Sequence, residues 1–435
     1  MRGRRLWFGC ALAAQSGLLL TLSFAPFDAW WLVWVALVPM VIAQYRVLPI
    51  AWSALAPAIA VGGFVAGYCG DIFPASAAWY MKGLPLLVAG AVFVGSRHER
   101  SGRDRAGYAT WPLAAAASWV AVDLARSFVP VLGTWGFFGY ALYRQAWLIQ
   151  PVRIVGIFGL DLLIVLVNYT IAMAVIAGLD DFGVSGAPVR VLRRNAALWC
   201  GGVVALVAAW CALSASLGPR VDATARIAVL QPGVRRRDVG ATSEERDRGM
   251  LDRLATQTRE AALRGARLVV WPEAALAADP AIAYPRELAA LARDTAASLV
   301  VGYGIHTPGG TRNEVVTVAP SGAFAGRYGK DHPVLFLGET SISRGAYPTV
   351  EAAFGRMGSI ICYDMDFTDT ARQLARRGAK VIAVPSADWP TIAAKHYTHA
   401  VMRALETGAA VAKSEYSVDS AIIDGYGRIA ASAVT

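Results

Sequence analysis

Charge is what this chain has least of. Asp, Glu, Lys and Arg make up 17% of its 435 residues, whereas 56% are hydrophobic and the mean hydropathy is +0.45. A soluble domain usually carries about a quarter charged residues, so the deficit excludes an ordinary soluble globule and points to a membrane protein. Lysine is scarcer still, at five of the 41 basic side chains. Where arginine is the default base, a lysine marks a place that needs a compact point charge. Cysteine is rare too. Cys10, Cys69, Cys200 and Cys211 lie in or near apolar runs and read as small packing residues. Cys362 stands alone in the second half, which excludes a disulfide within that half and flags a free thiol as a candidate nucleophile. No zinc finger, RNA-binding signature or Walker loop is present, and no internal repeat, so nucleic acid is not an expected partner.

What the chain does have is apolar runs, concentrated before residue 218. Roughly 20 apolar residues make one helical span. Seven stretches qualify: 6–24, 27–44, 48–70, 77–95, 109–125, 156–178 and 196–217. The first has a signal peptide as its alternative, disfavoured because more spans follow and no A-x-A site appears. Arg2, Arg4, Arg5, Arg46, Arg97, Arg100, Arg103, Arg105, Arg190, Arg193 and Arg194 fall in inner loops if the N-terminus is inside; Arg126, Arg144 and Arg153 fall outside, with Lys82 near an outer end. This is a positive-inside bias. An odd number of spans then puts everything after residue 217 across the membrane. The net charge of +10 divides into +7 for residues 1–219 and +3 for the remainder, so most of the excess is topology. The expected domains are a bundle of about seven spans over 1–219 and an extracytoplasmic domain over 220–435.

The second half has a different texture, with short apolar runs alternating with polar helical stretches. Strands are expected at 226–230, 267–271, 299–302, 313–318, 323–328, 358–362, 380–385 and 421–423. Thr242 with Glu245 reads as a capping box opening a helix to about 264, and further helices are expected at 285–297, 369–377 and 395–408. The alternation predicts a layered α/β domain.

Three chemically complementary residues follow apolar strands: Glu273 after Val269-Val270-Trp271-Pro272, Lys330 in Tyr328-Gly329-Lys330-Asp331-His332, and Cys362 after Ser359-Ile360-Ile361. Strand ends are where layered α/β domains build sites. A thiol attacks as thiolate and needs a base, a carboxylate at a dry strand end can serve as one, and the oxyanion that forms needs positive potential. Lys330, with the backbone N–H after Cys362, fits that last role. Taken singly, each residue reads more readily as a solvated strand end or a packed side chain; the set of three is what carries the expectation.

These residues resemble three signatures of the nitrilase superfamily, Trp271-Pro272-Glu273, Gly329-Lys330-Asp331-His332 and Ile361-Cys362-Tyr363-Asp364, in the family's order. The resemblance implies an αββα sandwich and a Glu–Lys–Cys triad. Fused to an N-terminal all-α transmembrane bundle, the whole looks like the bacterial apolipoprotein N-acyltransferase family. Phe336-Leu337-Gly338-Glu339 resembles that family's segment with a further essential acid, which makes Glu339 and Tyr363 supporting residues. Ser386-Ala387-Asp388-Trp389, the stretch from His399 to Gly408, and Asn168 resemble further family segments. The resemblance implies a monomeric inner-membrane enzyme without cofactor. It would draw an acyl chain from a phospholipid onto Cys362 as a thioester, then pass it to the α-amine of diacylglyceryl-cysteine on an apolipoprotein, with Glu273 carrying the proton and Lys330 holding the oxyanion.

Several positions depart from the family's pattern. Asp364 stands where the acyltransferases commonly have Glu, Ala387 replaces an Asn, and Lys413-Ser414-Glu415-Tyr416-Ser417 replaces an A-T-N-x-G stretch. The tryptophan usual after the first strand of the domain is missing near 234–239, and the closing strands and last helix are expected to be lacking after Thr435. His396 and His399 share a helical face, but no acidic third ligand sits at a recognised metal spacing, so no metal is expected. Two other readings stand beside the transferase: a membrane-tethered amidohydrolase, in which water resolves the thioester, and an inert scaffold.

Overall fold

The computed structural model describes residues 2–70, 72–73, 82–96, 109–179, 189–219 and 224–433. The expected inner-loop Arg97, Arg100, Arg103 and Arg105 and the first part of the 77–95 stretch lie outside the described residues. By its contacts the chain forms two compact units, Met1–Arg126 with Gly136–Leu217, and Ser127–Trp135 with Gly218–Thr435.

The first unit is helical: α1 (Arg2–Ser23), α2 (Leu55–Cys69), α3 (Leu84–Gly95), α4 (Trp111–Ser127), α5 (Val152–Leu179) and α6 (Val189–Ser216). Among the described residues, five helices are long and apolar enough to cross a membrane: Gly3–Ser23, Trp30–Val47, Ile50–Cys69, Val152–Leu179 and Arg190–Ser216. They match five of the seven expected stretches. Of the other two, α3 has 12 described residues and α4 has 17. Trp30–Val47 is not one regular helix; it runs through a 3-10 turn at Trp30–Trp34, an α turn at Val38–Ile42 and a wider π turn at Ala43–Val47. Asn168 on α5 secures this irregular stretch. Its side chain accepts from the Leu37 N–H at 2.8 Å and donates to the Val33 carbonyl at 2.8 Å. Backbone polar groups that lose helical partners need such a substitute where water is absent.

The second unit is a sandwich of two mixed sheets. One has the order β1-β2-β3-β4-β5, from Ile227–Val229, Leu268–Val270, Ser298–Thr307, Gly310–Val318 and Phe324–Gly329. The other has the order β11-β10-β9-β8-β7-β6, from Thr349–Ala352 (β6), Gly355–Ser359 (β7), Val381–Pro385 (β8), Ala410–Ser414 (β9), Ser420–Ile423 (β10) and Ile429–Ala433 (β11). In the first sheet β1–β2–β3 at one end are parallel and β3–β4–β5 antiparallel; in the second the central β7–β8–β9 are parallel and the flanking pairs antiparallel. β2 and β3 pack against β8 and β9, while helices α7 (Ser243–Leu263), α8 (Pro285–Thr295), α9 (Thr368–Arg376) and α10 (Pro390–Thr407) cover the outer faces. Strands buried on both faces read as unbroken apolar runs, as Leu268, Val269 and Val270 do, all fully buried. The expected αββα architecture is therefore present.

Local chemistry sets the elements. The capping box opens α7, with the Glu245 N–H donating to Thr242 Oγ1 at 3.2 Å and the Thr242 N–H to Glu245 Oε2 at 3.0 Å. Gly408 takes a left-handed φ of 66° and ends α10. That helix starts at Pro390, five residues before the expected position, because proline suits the first turn of a helix. β6, β9 and β11 were not among the expected strands.

One glycine decides where the first strand end can go. A Cβ on Gly302 of β3 would lie 2.3 Å from the Pro272 carbonyl oxygen and 3.0 Å from Glu273 Cα. Gly302→Ala should therefore push the 272–273 turn off β3. The expected result in thermal unfolding is a loss of roughly 1–3 kcal/mol, together with reduced activity.

Candidate active site

Glu273, Lys330 and Cys362 come from three strand ends and are all buried. Lys330 follows β5, and its Nζ donates to Glu273 Oε1 and to Glu339 Oε2, both at 2.9 Å. Its side chain is 2% exposed, so one ammonium sits between two carboxylates away from solvent. Burial pushes this lysine toward neutrality, but Glu273, the Cys362 sulfur and Glu339 override it and hold it well above the usual lysine range. Glu339 feels the same field in reverse: burial raises its carboxyl, while Lys330 and the Val334 N–H at 2.8 Å bring it below the ordinary value.

Cys362 opens a 3-10 turn, Cys362–Asp366, after β7. Its φ of 45° lies in the left-handed region, which is uncommon for a residue with a side chain and concentrates at functional sites. Burial, then the Glu273 and Asp388 carboxylates, push its thiol well above the ordinary value; Lys330 pulls the other way. The resting sulfur is thus a thiol, which could attack only if an acceptor took its proton.

The expected supporting residues divide. Glu339 joins Lys330 directly. The Tyr363 hydroxyl instead donates to the Val131 carbonyl at 2.9 Å, and its ring lies edge-on to Phe336, 6.2 Å between centroids. It ties the turn after Cys362 to the 127–135 segment. Thr134 and Trp135 reinforce that tie: the Thr134 N–H donates to the Asp366 carbonyl at 2.9 Å and Trp135 Nε1 to Asp366 Oδ2 at 2.6 Å.

Sequence reasoning missed Asn313 and placed Asp364 and Asp388 in motifs without giving either a role. Asn313 on β4 donates through Nδ2 to Glu273 Oε1 at 2.6 Å and to Glu339 Oε1 at 2.8 Å, bridging the two carboxylates that Lys330 also bridges. Asp364, the last residue of the cysteine motif, accepts from the Ile361 N–H at 2.9 Å, the His332 N–H at 2.8 Å, the Asp331 N–H at 3.2 Å and the Tyr328 hydroxyl at 2.8 Å. It fixes the lysine-bearing strand end to the cysteine-bearing one. Asp388 accepts from Cys362 Sγ at 3.6 Å, His396 Nδ1 at 2.8 Å and Lys413 Nζ at 2.9 Å. Lys413 also holds Glu415. His396 Nε2 lies 3.2 Å from Asp366 and His399 Nδ1 2.7 Å from it, and the Trp135 ring stacks on His396 with centroids 5.7 Å apart.

This second network is strongly charged. Burial raises Asp366 and Asp388, yet the facing imidazoles, and Lys413 for Asp388, hold both well below the carboxylate range. Burial lowers His396, but Asp388 and Asp366 raise it to about 10; burial wins at His399, which falls to about 4. Cys362, Asp388 and His396 bring one donor atom each within 4.8 Å of the others, a spacing that could hold a metal ion. The Lys413 ammonium already sits on Asp388 at 2.9 Å.

The second unit has the fold of a carbon–nitrogen hydrolase domain. Residues 226–435 match the family model described as carbon-nitrogen hydrolase, and residues 16–170 match that of the apolipoprotein N-acyltransferase N-terminal domain. An apolipoprotein N-acyltransferase of Geobacter metallireducens is 26% identical over 468 residues, covering 96% of this chain and 85% of that one. A nitrilase of Pyrococcus abyssi is 35% identical over 99 residues, 22% of this chain and 37% of its own length. Among solved structures, Saccharomyces cerevisiae Nit3, of branch 10 of the nitrilase superfamily, is 23% identical, with a TM-score of 0.41 over 48% of this chain and 86% of that one. The chain thus joins an apolipoprotein N-acyltransferase N-terminal domain to a carbon-nitrogen hydrolase domain.

Two predictions follow from the geometry. Asp364→Asn puts an amide N–H against donors that need an acceptor, and should cost at least about 2 kcal/mol in unfolding measurements. The second concerns pH. His396 is raised in the folded state, so its contribution to stability is complete below the unfolded value of about 6.5 and is lost as pH rises through about 10. His396→Gln should flatten that alkaline limb of the stability profile.

Proposed function

We propose that this chain transfers an acyl chain from a phospholipid, through a thioester on Cys362, to the N-terminal α-amine of diacylglyceryl-cysteine on apolipoproteins. The observation that carries the reading is the buried Lys330 ammonium shared by Glu273 and Glu339, with the Cys362 thiol in the same field, in a chain that also carries long apolar helices.

In this reading Glu273 takes the thiol proton as sulfur attacks the ester carbonyl, and Lys330 stabilises the oxyanion. The proton then passes from Glu273 to the departing lysophospholipid oxygen. In the second half, the acceptor amine attacks the thioester, Glu273 receives the amine proton, and the proton returns to sulfur as the amide forms. Glu339 and Asn313 hold Lys330 and Glu273 in place throughout. Both substrates are membrane-anchored, which accounts for a catalytic domain over 220–435 tethered to a bundle over 1–219. The same reading places the chain in the bacterial inner membrane as a monomer, with the catalytic domain on the extracytoplasmic face.

Intact-protein mass spectrometry after incubation with phospholipid tests it. Wild type should gain a fatty-acyl adduct that Cys362→Ser lacks, and a diacylglyceryl-cysteine peptide should discharge that adduct with acylation of its amine. Discharge by water alone would favour an amidohydrolase, and a folded wild type that takes no adduct would overturn the phospholipid-donor mechanism. Glu273→Gln should lower the rate of adduct formation by about 100-fold or more, the usual weight of a general base.

A further inference from the structure

The proposed base does not hold the resting nucleophile. Among the described residues, the Cys362 thiol makes its hydrogen bond to Asp388 Oδ1, at 3.6 Å, while Glu273 Oε1 is taken up by Asn313 and Lys330. Asp388 is fully buried and held from behind: His396 Nδ1 lies 2.8 Å from both its oxygens, Lys413 Nζ 2.9 Å from one, and its own N–H donates to Glu415 Oε2 at 2.9 Å. A carboxylate built into its pocket by two cations is a fixed acceptor rather than a shuttle.

We propose that Asp388, clamped by His396 and Lys413, is a positioning residue for acyl transfer: its carboxylate holds the resting Cys362 thiol by its hydrogen and gives that hydrogen up to Glu273 when sulfur attacks. The proposal rests on Cys362 being the nucleophile. As the sulfur–carbon bond forms, the S–H bond breaks and its proton goes to Glu273, then to the leaving oxygen. Asp388 neither gains nor loses a proton. When the amide product leaves, the proton returns to sulfur and the hydrogen bond to Asp388 re-forms. The gain is a nucleophile that stays protonated between turnovers, since the thiolate is the form open to oxidation.

The charged groups that bear on this thiol are known on every side. Glu273 and Lys330 face it from the first sheet. Asp388 and Glu415 face it from the second, with Lys413 between them. Behind Asp388 stand His396, then Asp366 and His399. Removing the Asp388 charge leaves Lys330 less opposed.

The test is iodoacetamide alkylation of Cys362 in the full-length protein, followed by mass spectrometry of its peptide across neutral to alkaline pH. Asp388→Asn should move the alkylation midpoint down by about one pH unit, which is about tenfold faster alkylation below the wild-type midpoint. A purely structural Asp388 would loosen the turn without lowering the midpoint, so an unchanged or raised midpoint overturns the proposal. If Asp388→Asn does not accumulate, His396→Gln decides. Loss of that cation should raise the midpoint, and an unchanged or lowered one overturns the proposal. Acyl transfer that survives in Cys362→Ser would instead sink the nucleophile assignment, an outcome the alkylation profile cannot mimic.

Discussion

The site depends on one buried carboxylate that performs no chemistry. Asp364 has no solvent contact and receives backbone N–H groups from Ile361, Asp331 and His332, and the Tyr328 hydroxyl. Those donors belong to two strand ends in two different sheets. Without a shared acceptor, the Lys330 turn would leave half-buried N–H groups unpaired and the Cys362 turn the buried Ile361 N–H, the latter at about 1–3 kcal/mol. With it, the register between the sheets is set where a thiol and an ammonium must share one field. The departure from Glu to Asp at this position then has a physical reading. The shorter side chain sits immediately behind the turn, where a carboxylate can reach its own strand end and the neighbouring one.

Charge balance is the second constraint. An isolated buried ion is costly, and a buried pair is worth keeping only when every remaining lone pair and proton is satisfied. Lys330 meets this condition by serving two carboxylates at 2.9 Å each, and Asn313 closes the loop by donating to both. A lysine gives this site one movable point charge, whereas a guanidinium would impose a planar fork. That is the physical content of a lysine appearing here in a chain that otherwise uses arginine.

What could be read from the sequence was local. The Thr242–Glu245 box, the strand ends carrying Glu273, Lys330 and Cys362, and the glycine that ends α10 are each fixed by neighbours within a few residues. The members that escaped are fixed at long range. Asn313 sits mid-strand, where an Asn has no local signature, and acts only because β4 lies beside β3 and β5. β9 and β11 are rich in alanine, a weak strand former, and gain their conformation from pairing with β8 and β10. The 127–135 segment lies between helices α4 and α5 in the sequence, yet packs with the second unit because Asp366 and Tyr363 offer partners more than 200 positions away. His396 and His399 were read as a metal-like pair without an acid. The acids exist, but Asp366 and Asp388 approach from other elements, and no spacing rule could find them.

The departures from the family pattern gain coherence when taken together. Lys413 and Glu415 both fall in the stretch that does not match, and both are fully buried. Neither is tolerable alone in such a position. Placed two apart on β9 and just after it, both reach Asp388, Lys413 through its ammonium and Glu415 through the Asp388 N–H. Burial and the Asp388 charge raise Glu415 to about 8 against the pull of Lys413. Lys413 and His396 thus stand as two cations against the Asp388 and Asp366 carboxylates. Lys413 and Glu415 complete a self-compensating group of charges whose inner member, Asp388, faces the sulfur of Cys362. An acid there without the lysine and histidine behind it would be driven to protonate, and would then be a weaker acceptor for the thiol hydrogen.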